Sequence, residues 1–130
     1  MLKLIAVICG GAIGAVLRYY GAQAVSHLWG LTFPFGTLFV NLIGSLSIGI
    51  MWGIVELGTL SPLLKIFLVT GMLGAFTTFS TFSIETVNLL RDNKIMLAVI
   101  NIVVSNVLGI LLAFIGYKSI KLLNQLYGTI

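Results

Sequence analysis

The chain has 130 residues, 59% of them apolar and 8% charged, with a formal net charge of +4 and a mean hydropathy of +1.18. Soluble domains run at roughly 45 to 50% apolar and about 25% charged, so the composition excludes a water-soluble enzyme and indicates a chain dissolved in lipid. The positive charge is not a nucleic-acid signature, because no basic patch or aromatic-basic interleaving accompanies it and lysines flanking membrane spans account for it.

Apolar runs over 4–27, 36–56, 64–90 and 95–117 predict one four-span domain covering 1–130, each run being near or above the ~20 residues that cross a bilayer as helix. Lys3, the first apolar run and Ala22-Gln23-Ala24 resemble a secretory signal with a cleavage site. Arg18 inside the run argues against that reading, as does the odd three-span remainder. Cys9 has no companion cysteine or metal-ligand cluster and reads as packing. In the same run Gly10, Gly14 and Arg18 are spaced by four and Gly21 follows by three, which puts a cation on the small-residue face. Arg18 is either an anion attractor or a side chain that snorkels to the interface near His27 and Trp29. Gly10-x-x-x-Gly14, like Gly49-x-x-x-Gly53 in the second run, lets helix backbones approach, within one subunit or between two.

The second span carries a polar stripe of Thr37, Asn41, Gly44 and Ser45. The Asn41 amide can hold two helices together or donate to an anion. In the third span, Gly71-Met72-Leu73-Gly74-Ala75-Phe76-Thr77-Thr78-Phe79-Ser80-Thr81-Phe82-Ser83 combines weak helix formers with hydroxyls that compete for backbone hydrogen bonds. A break near Gly74 to Thr78 is expected, and irregular backbone at membrane depth belongs where it is buried in protein or lines a wet cavity. Carbonyls freed there are able to hold a cation. Phe79 and Phe82 share a helical face beside Ser80, Thr81 and Ser83. Ring edges are electropositive and can line a path for a small anion, while two phenylalanines at helical spacing also read simply as core. Asn101, Ser105 and Gly109 repeat at four in the last span, with Asn106 beside them, and read first as packing.

Lys3, Lys65, Lys118 and Lys121 fall on the side of the termini, against Arg91 and Lys94 on the other, with Arg18 near its edge. That imbalance favours termini inside but is too small to fix orientation, so insertion both ways up, and hence an antiparallel homodimer, is open.

Gly10-Gly11-x-x-Gly14-x-x-x-Arg18-Tyr19, Gly36-Thr37-Leu38-x-x-Asn41-x-x-Gly44-Ser45 and Gly71-x-x-Gly74-x-x-Thr77-Thr78-Phe79-Ser80-Thr81-Phe82-Ser83-x-Glu85 together resemble the Fluc (CrcB) family of small fluoride channels, essentially along the whole chain. The resemblance implies an all-α membrane protein with a broken third helix, assembled as an antiparallel, dual-topology homodimer. Two narrow pores at its interface would export fluoride passively from the cytoplasm across the inner (plasma) membrane. By the same resemblance, Phe79 and Phe82 turn ring edges to fluoride, Asn41 donates near them, Ser80 and Thr81 form a hydroxyl track, and Arg18 concentrates anions at a vestibule. The carbonyls of Gly74 and Thr77, from both subunits, surround a central sodium ion. Glu85 matches a carboxylate of unassigned role. Ser105 matches a pathway hydroxyl, four residues after Asn101, where some relatives carry an aromatic. The alternative is a proton-coupled exporter of the small multidrug-resistance type, which needs an acid in its first span where this chain has Arg18 and no carboxylate. A structural or accessory subunit leaves Thr77 to Ser83 without a reason.

Overall fold

Helix α1 (Leu2–Trp29) stops at Gly30, whose φ of +87° no β-substituted residue adopts easily. Pro34 precedes α2 (Phe35–Glu56), and a second left-handed glycine, Gly58, turns the chain after it. The Ser61 hydroxyl then accepts the Leu64 N–H at 3.3 Å, with Pro62 in the first helical position where no amide proton is needed. The third span is composite: α3 (Pro62–Lys65), a π-helical stretch (Ile66–Leu73), α4 (Gly74–Phe76), two extended residues, and α5 (Phe79–Arg91). Asn93, at φ +57°, makes the tight turn into α6 (Ile95–Tyr127). This computed structural model describes residues 1–30 and 32–128, and among them there is no strand.

Among the described residues four helical segments, of 28, 22, 30 and 33 residues, are long and apolar enough to cross a bilayer. The protein is therefore a multi-pass, all-helical membrane protein. The expected break in the third span is present, at Thr77 and Thr78. The last apolar run ends at Tyr117, yet α6 continues to Tyr127. At 1.5 Å per residue it is ~50 Å long, well beyond a ~30 Å hydrocarbon core. Its extension is tied down at the end of α2, where Glu56 Oε2 accepts from Tyr117 Oη and pairs with Lys121 Nζ, both at 2.9 Å.

Two seams hold the bundle: α2 along α6, and α1 along the π-helical stretch. Lipid offers no hydrophobic drive for helices to associate, so close van der Waals packing must supply it. In the first seam a Cβ at Gly49 would strike the Ala113 backbone, and one at Gly116 would strike the backbone at Leu46 and Ile50. In the second, Gly10 and Gly14 face the backbone of Phe67 to Met72. Both small-xxx-small patterns are thus used inside one subunit. Large apolar side chains such as Ile13, Leu17, Ile110 and Phe114 point outward instead. Cys9 is also exposed rather than packed, because it neighbours Gly10 and a helix turns ~100° per residue away from the seam.

Candidate functional site

The polar stripe of α2 meets the broken span residue by residue. Thr37 Oγ1 donates to Glu85 Oε1 at 2.7 Å. One turn along, Asn41 Nδ2 donates to the Thr78 carbonyl at 3.0 Å while Asn41 Oδ1 accepts the Thr78 N–H at 2.8 Å. Gly44 comes next, and its missing Cβ leaves the space taken by the Thr77 methyl and the Phe76 ring. Of the two roles open to Asn41, the helix-joining one is thus realised: it satisfies both backbone groups of a residue that belongs to no helix. Such groups cannot be left unpaired in hydrocarbon.

The break takes the helical donors from the carbonyls of residues 74–77, Gly74 and Thr77 among them. In an uninterrupted helix Gly74 C=O would accept from Thr78 N–H, and Thr77 C=O from Thr81 N–H. Thr78 N–H is instead spent on Asn41, and Thr81 N–H goes to Thr78 Oγ1 at 3.2 Å, which caps α5. Among the described residues neither carbonyl receives a replacement backbone donor. Thr77 N–H and Oγ1 both turn back to Leu73 C=O, each at 3.2 Å.

Beyond the cap lie the hydroxyls and rings. Thr78 Oγ1 sits 3.2 Å from Ser80 Oγ and 3.0 Å from Thr81 Oγ1. The Phe79 and Phe82 rings are tilted by 44° with centroids 5.5 Å apart. Their environments differ: Phe82 is 9% exposed and Phe79 76%. The core reading therefore describes Phe82 and fails for Phe79. Asn41, Ser45, Gly74, Thr77, Thr78 and Phe79 line an open cleft of about 310 Å³ on the surface of the subunit.

Ser105 is drawn towards this group only indirectly. Its hydroxyl donates to Asn101 Oδ1 at 3.4 Å, and Asn101 Nδ2 donates to Thr86 Oγ1 at 2.9 Å on α5. Arg18 continues the Gly10–Gly14 face of α1 and is half-buried; no ion pair or hydrogen bond joins it to the cluster among the described residues. Glu85 Oε2 is shielded and lacks a hydrogen-bond partner among the same residues.

Two residues central to the geometry have roles the sequence reading does not assign: Thr78, named there only as part of the broken stretch, and Thr86. Thr78 had a legible signal, since a threonine three residues before Thr81 at the start of a helix is a cap pattern. Thr86 had none, because its partner comes from another helix.

The fold and this cluster define a polytopic membrane protein whose third span is broken around polar side chains, the arrangement by which membrane proteins expose backbone groups to ions. The chain belongs to the CrcB family: the model of the CrcB-like proteins (Camphor Resistance, CrcB) matches residues 5–117. A protein of Parabacteroides distasonis called a fluoride-specific ion channel FluC is 41% identical over 116 residues, covering 89% of this chain and 91% of that one. Those of Salinibacter ruber and Aquifex aeolicus, with the same name, are 43% identical over 118 residues (89% of this chain, 87% of the relative) and 42% over 113 (86% and 91%). These relatives are channels and not enzymes. In bacteria a helical protein of this kind resides in the inner membrane.

Proposed function

We propose that the protein is a fluoride-selective channel that lets the ion leave the cytoplasm passively, and that it works as an antiparallel homodimer. The observation that carries this reading is the cleft beside the break. It places Asn41, Thr77 and Thr78 next to an exposed Phe79 on a surface that hydrocarbon cannot solvate. A second copy of the chain covers such a face and closes it into a pore, and the small bias of flanking cations permits the two copies to insert in opposite directions.

In this reading fluoride, whose hydration is strong, exchanges water for several close donors: Ser80 and Thr81 hydroxyls, the second N–H of Asn41, the Ser105 hydroxyl and the edges of Phe79 and Phe82. A narrow bore and hydrogen bonds too short for a larger ion exclude chloride, while no single site binds tightly enough to stop flow. Arg18 raises the local anion concentration at the entrance. The freed carbonyls of Gly74 and Thr77 suit a hard monovalent cation, as unwound backbone does in sodium-coupled transporters. Two carbonyls are too few to replace a hydration shell, so the same pair from the partner completes the set around a sodium ion. That ion would supply fixed positive charge and join the subunits at the centre.

The test is efflux from liposomes loaded with fluoride, with chloride-loaded vesicles in parallel and a potassium ionophore to relieve charge build-up. Fluoride released with chloride retained supports the channel; no release from a dimeric sample overturns it. Phe79→Ile and Phe82→Ile should each abolish release and leave the dimer intact, and fluoride flux retained in both variants removes the rings from the pathway. Replacing sodium by N-methylglucamine should slow efflux, whereas undiminished flux after exhaustive exchange excludes a functional sodium site.

A further inference from the structure

Asn101 is 1% exposed, one of only two large side chains so completely withdrawn among the described residues. A buried amide at this depth earns its place only when its bonds are made. One N–H is donated to Thr86 Oγ1 at 2.9 Å, and the Thr86 hydroxyl, itself 7% exposed, donates its single proton to the Phe82 carbonyl at 2.8 Å. Thr86 Oγ1 is therefore left able only to accept, and Asn101 is the donor it meets. Ser105 Oγ completes the chain by donating to Asn101 Oδ1.

The consequence lies in where α5 begins. Its first turn carries Phe79 and Phe82, yet the two extended residues before it remove the backbone continuity that would otherwise set its height and rotation. Asn41 and Thr37 hold it from the α2 side. Contact with α6 is far less extensive than that between α2 and α6, and the Asn101–Thr86 bond is the one side-chain hydrogen bond across it among the described residues.

We infer that Asn101, acting through Thr86, is a positioning residue that sets the placement of the Phe82 ring. The inference rests on the fluoride-channel reading for its consequence in flux, but not for its geometry. It also gives the fourth-span polar stripe a role beyond packing.

The experiment compares Asn101→Val, Thr86→Val, the double variant and Thr86→Ser, which keeps the hydroxyl. Each is purified as the full chain, checked for assembly, and assayed for fluoride and chloride efflux. In parallel, 4-fluorophenylalanine at position 82 reports the ring's environment by 19F resonance in detergent. Asn101→Val and Thr86→Val should each slow fluoride efflux about tenfold, with chloride leak rising, and the double variant should be no worse than either because one bond is lost in all three. Thr86→Ser should recover most of the flux, and the resonance should move in both valine variants. Multiplicative losses, a poor Thr86→Ser, or an unmoved resonance overturns the inference. If Asn101→Val does not assemble, Thr86→Val against Thr86→Ser decides by the same readouts. Absent flux in the unaltered protein overturns the channel reading alone, since the resonance still reports the positioning.

Discussion

Helix α2 runs through two seams that solve the same problem differently. Against α6 it offers Gly49 and Gly53, and the facing helix offers Ala113 and Gly116, so the helices approach closely and, among the described residues, no side-chain hydrogen bond crosses the seam before Glu56 at its end. Against the third span it offers Thr37, Asn41 and Gly44, and there the backbone opposite is broken. Along its glycine stretch the dry seam secures the subunit by dispersion contacts. The polar one holds open a conformation that an unassisted helix in lipid would not keep. Glycine serves both: Gly49 lets backbones meet and Gly53 makes room for Ile120 on the dry seam, while beside the break Gly44 makes room for the Thr77 methyl and the Phe76 ring.

The largest effect on transport is expected from the polar seam. Asn41→Leu leaves the Thr78 N–H and C=O without partners, and each buried orphan costs about 1–3 kcal/mol. Fluoride efflux should fall about a hundredfold, since the break, its freed carbonyls and the start of α5 all depend on that residue. Efflux within a factor of about two of the unaltered protein would show that the break holds itself.

On the dry seam, Gly49→Leu drives a side chain into the Ala113 backbone, and overpacking of this kind costs about 1–3 kcal/mol even where the neighbours can shift. The expected outcome is a marked drop in the melting temperature of the purified protein, with flux per correctly folded protein preserved. If that flux falls as steeply as in Asn41→Leu, the two seams are not separable. Gly44→Ala lies between them: its Cβ displaces Thr77, so a loss of about tenfold in flux with a smaller fall in melting temperature is expected.

Much of this contrast can be read in the sequence, and the rest cannot for identifiable reasons. Four spans follow from apolar length, and the broken third span follows from Gly74, Thr77 and Thr78 lying together in one apolar run. The polar stripe of α2 is visible as a spacing, but its register is not, because the Asn41–Thr78 pair joins residues 37 apart. The π-helical stretch is likewise hidden: Ile66 to Leu73 has no unusual composition, and its geometry goes with the close approach of Gly10 and Gly14. Phe79 and Phe82 are identical in spacing terms, and only the fold exposes one and buries the other. Hydropathy ends the last span at Tyr117 because it measures lipid solubility, whereas the helix continues wherever its residues favour it. Fluoride itself is beyond periodicity and enters through family resemblance.

The smallest effect is expected where α2 leaves the membrane. Glu56 Oε2 receives both Tyr117 Oη and Lys121 Nζ, a cluster that on paper resembles the Thr37–Glu85 contact at the other end of the same helix. The settings differ, since both Glu56 and Lys121 side chains are at least 40% exposed. Water competes for each bond and salt screens the charges, so little is lost when one is removed. Tyr117→Phe should leave the melting temperature and the flux unchanged within error, while Thr37→Val, which removes the donor to Glu85 Oε1 in a half-buried setting, should lower both. Equal effects of the two substitutions would mean that position along α2, rather than exclusion of water, decides what a hydrogen bond contributes.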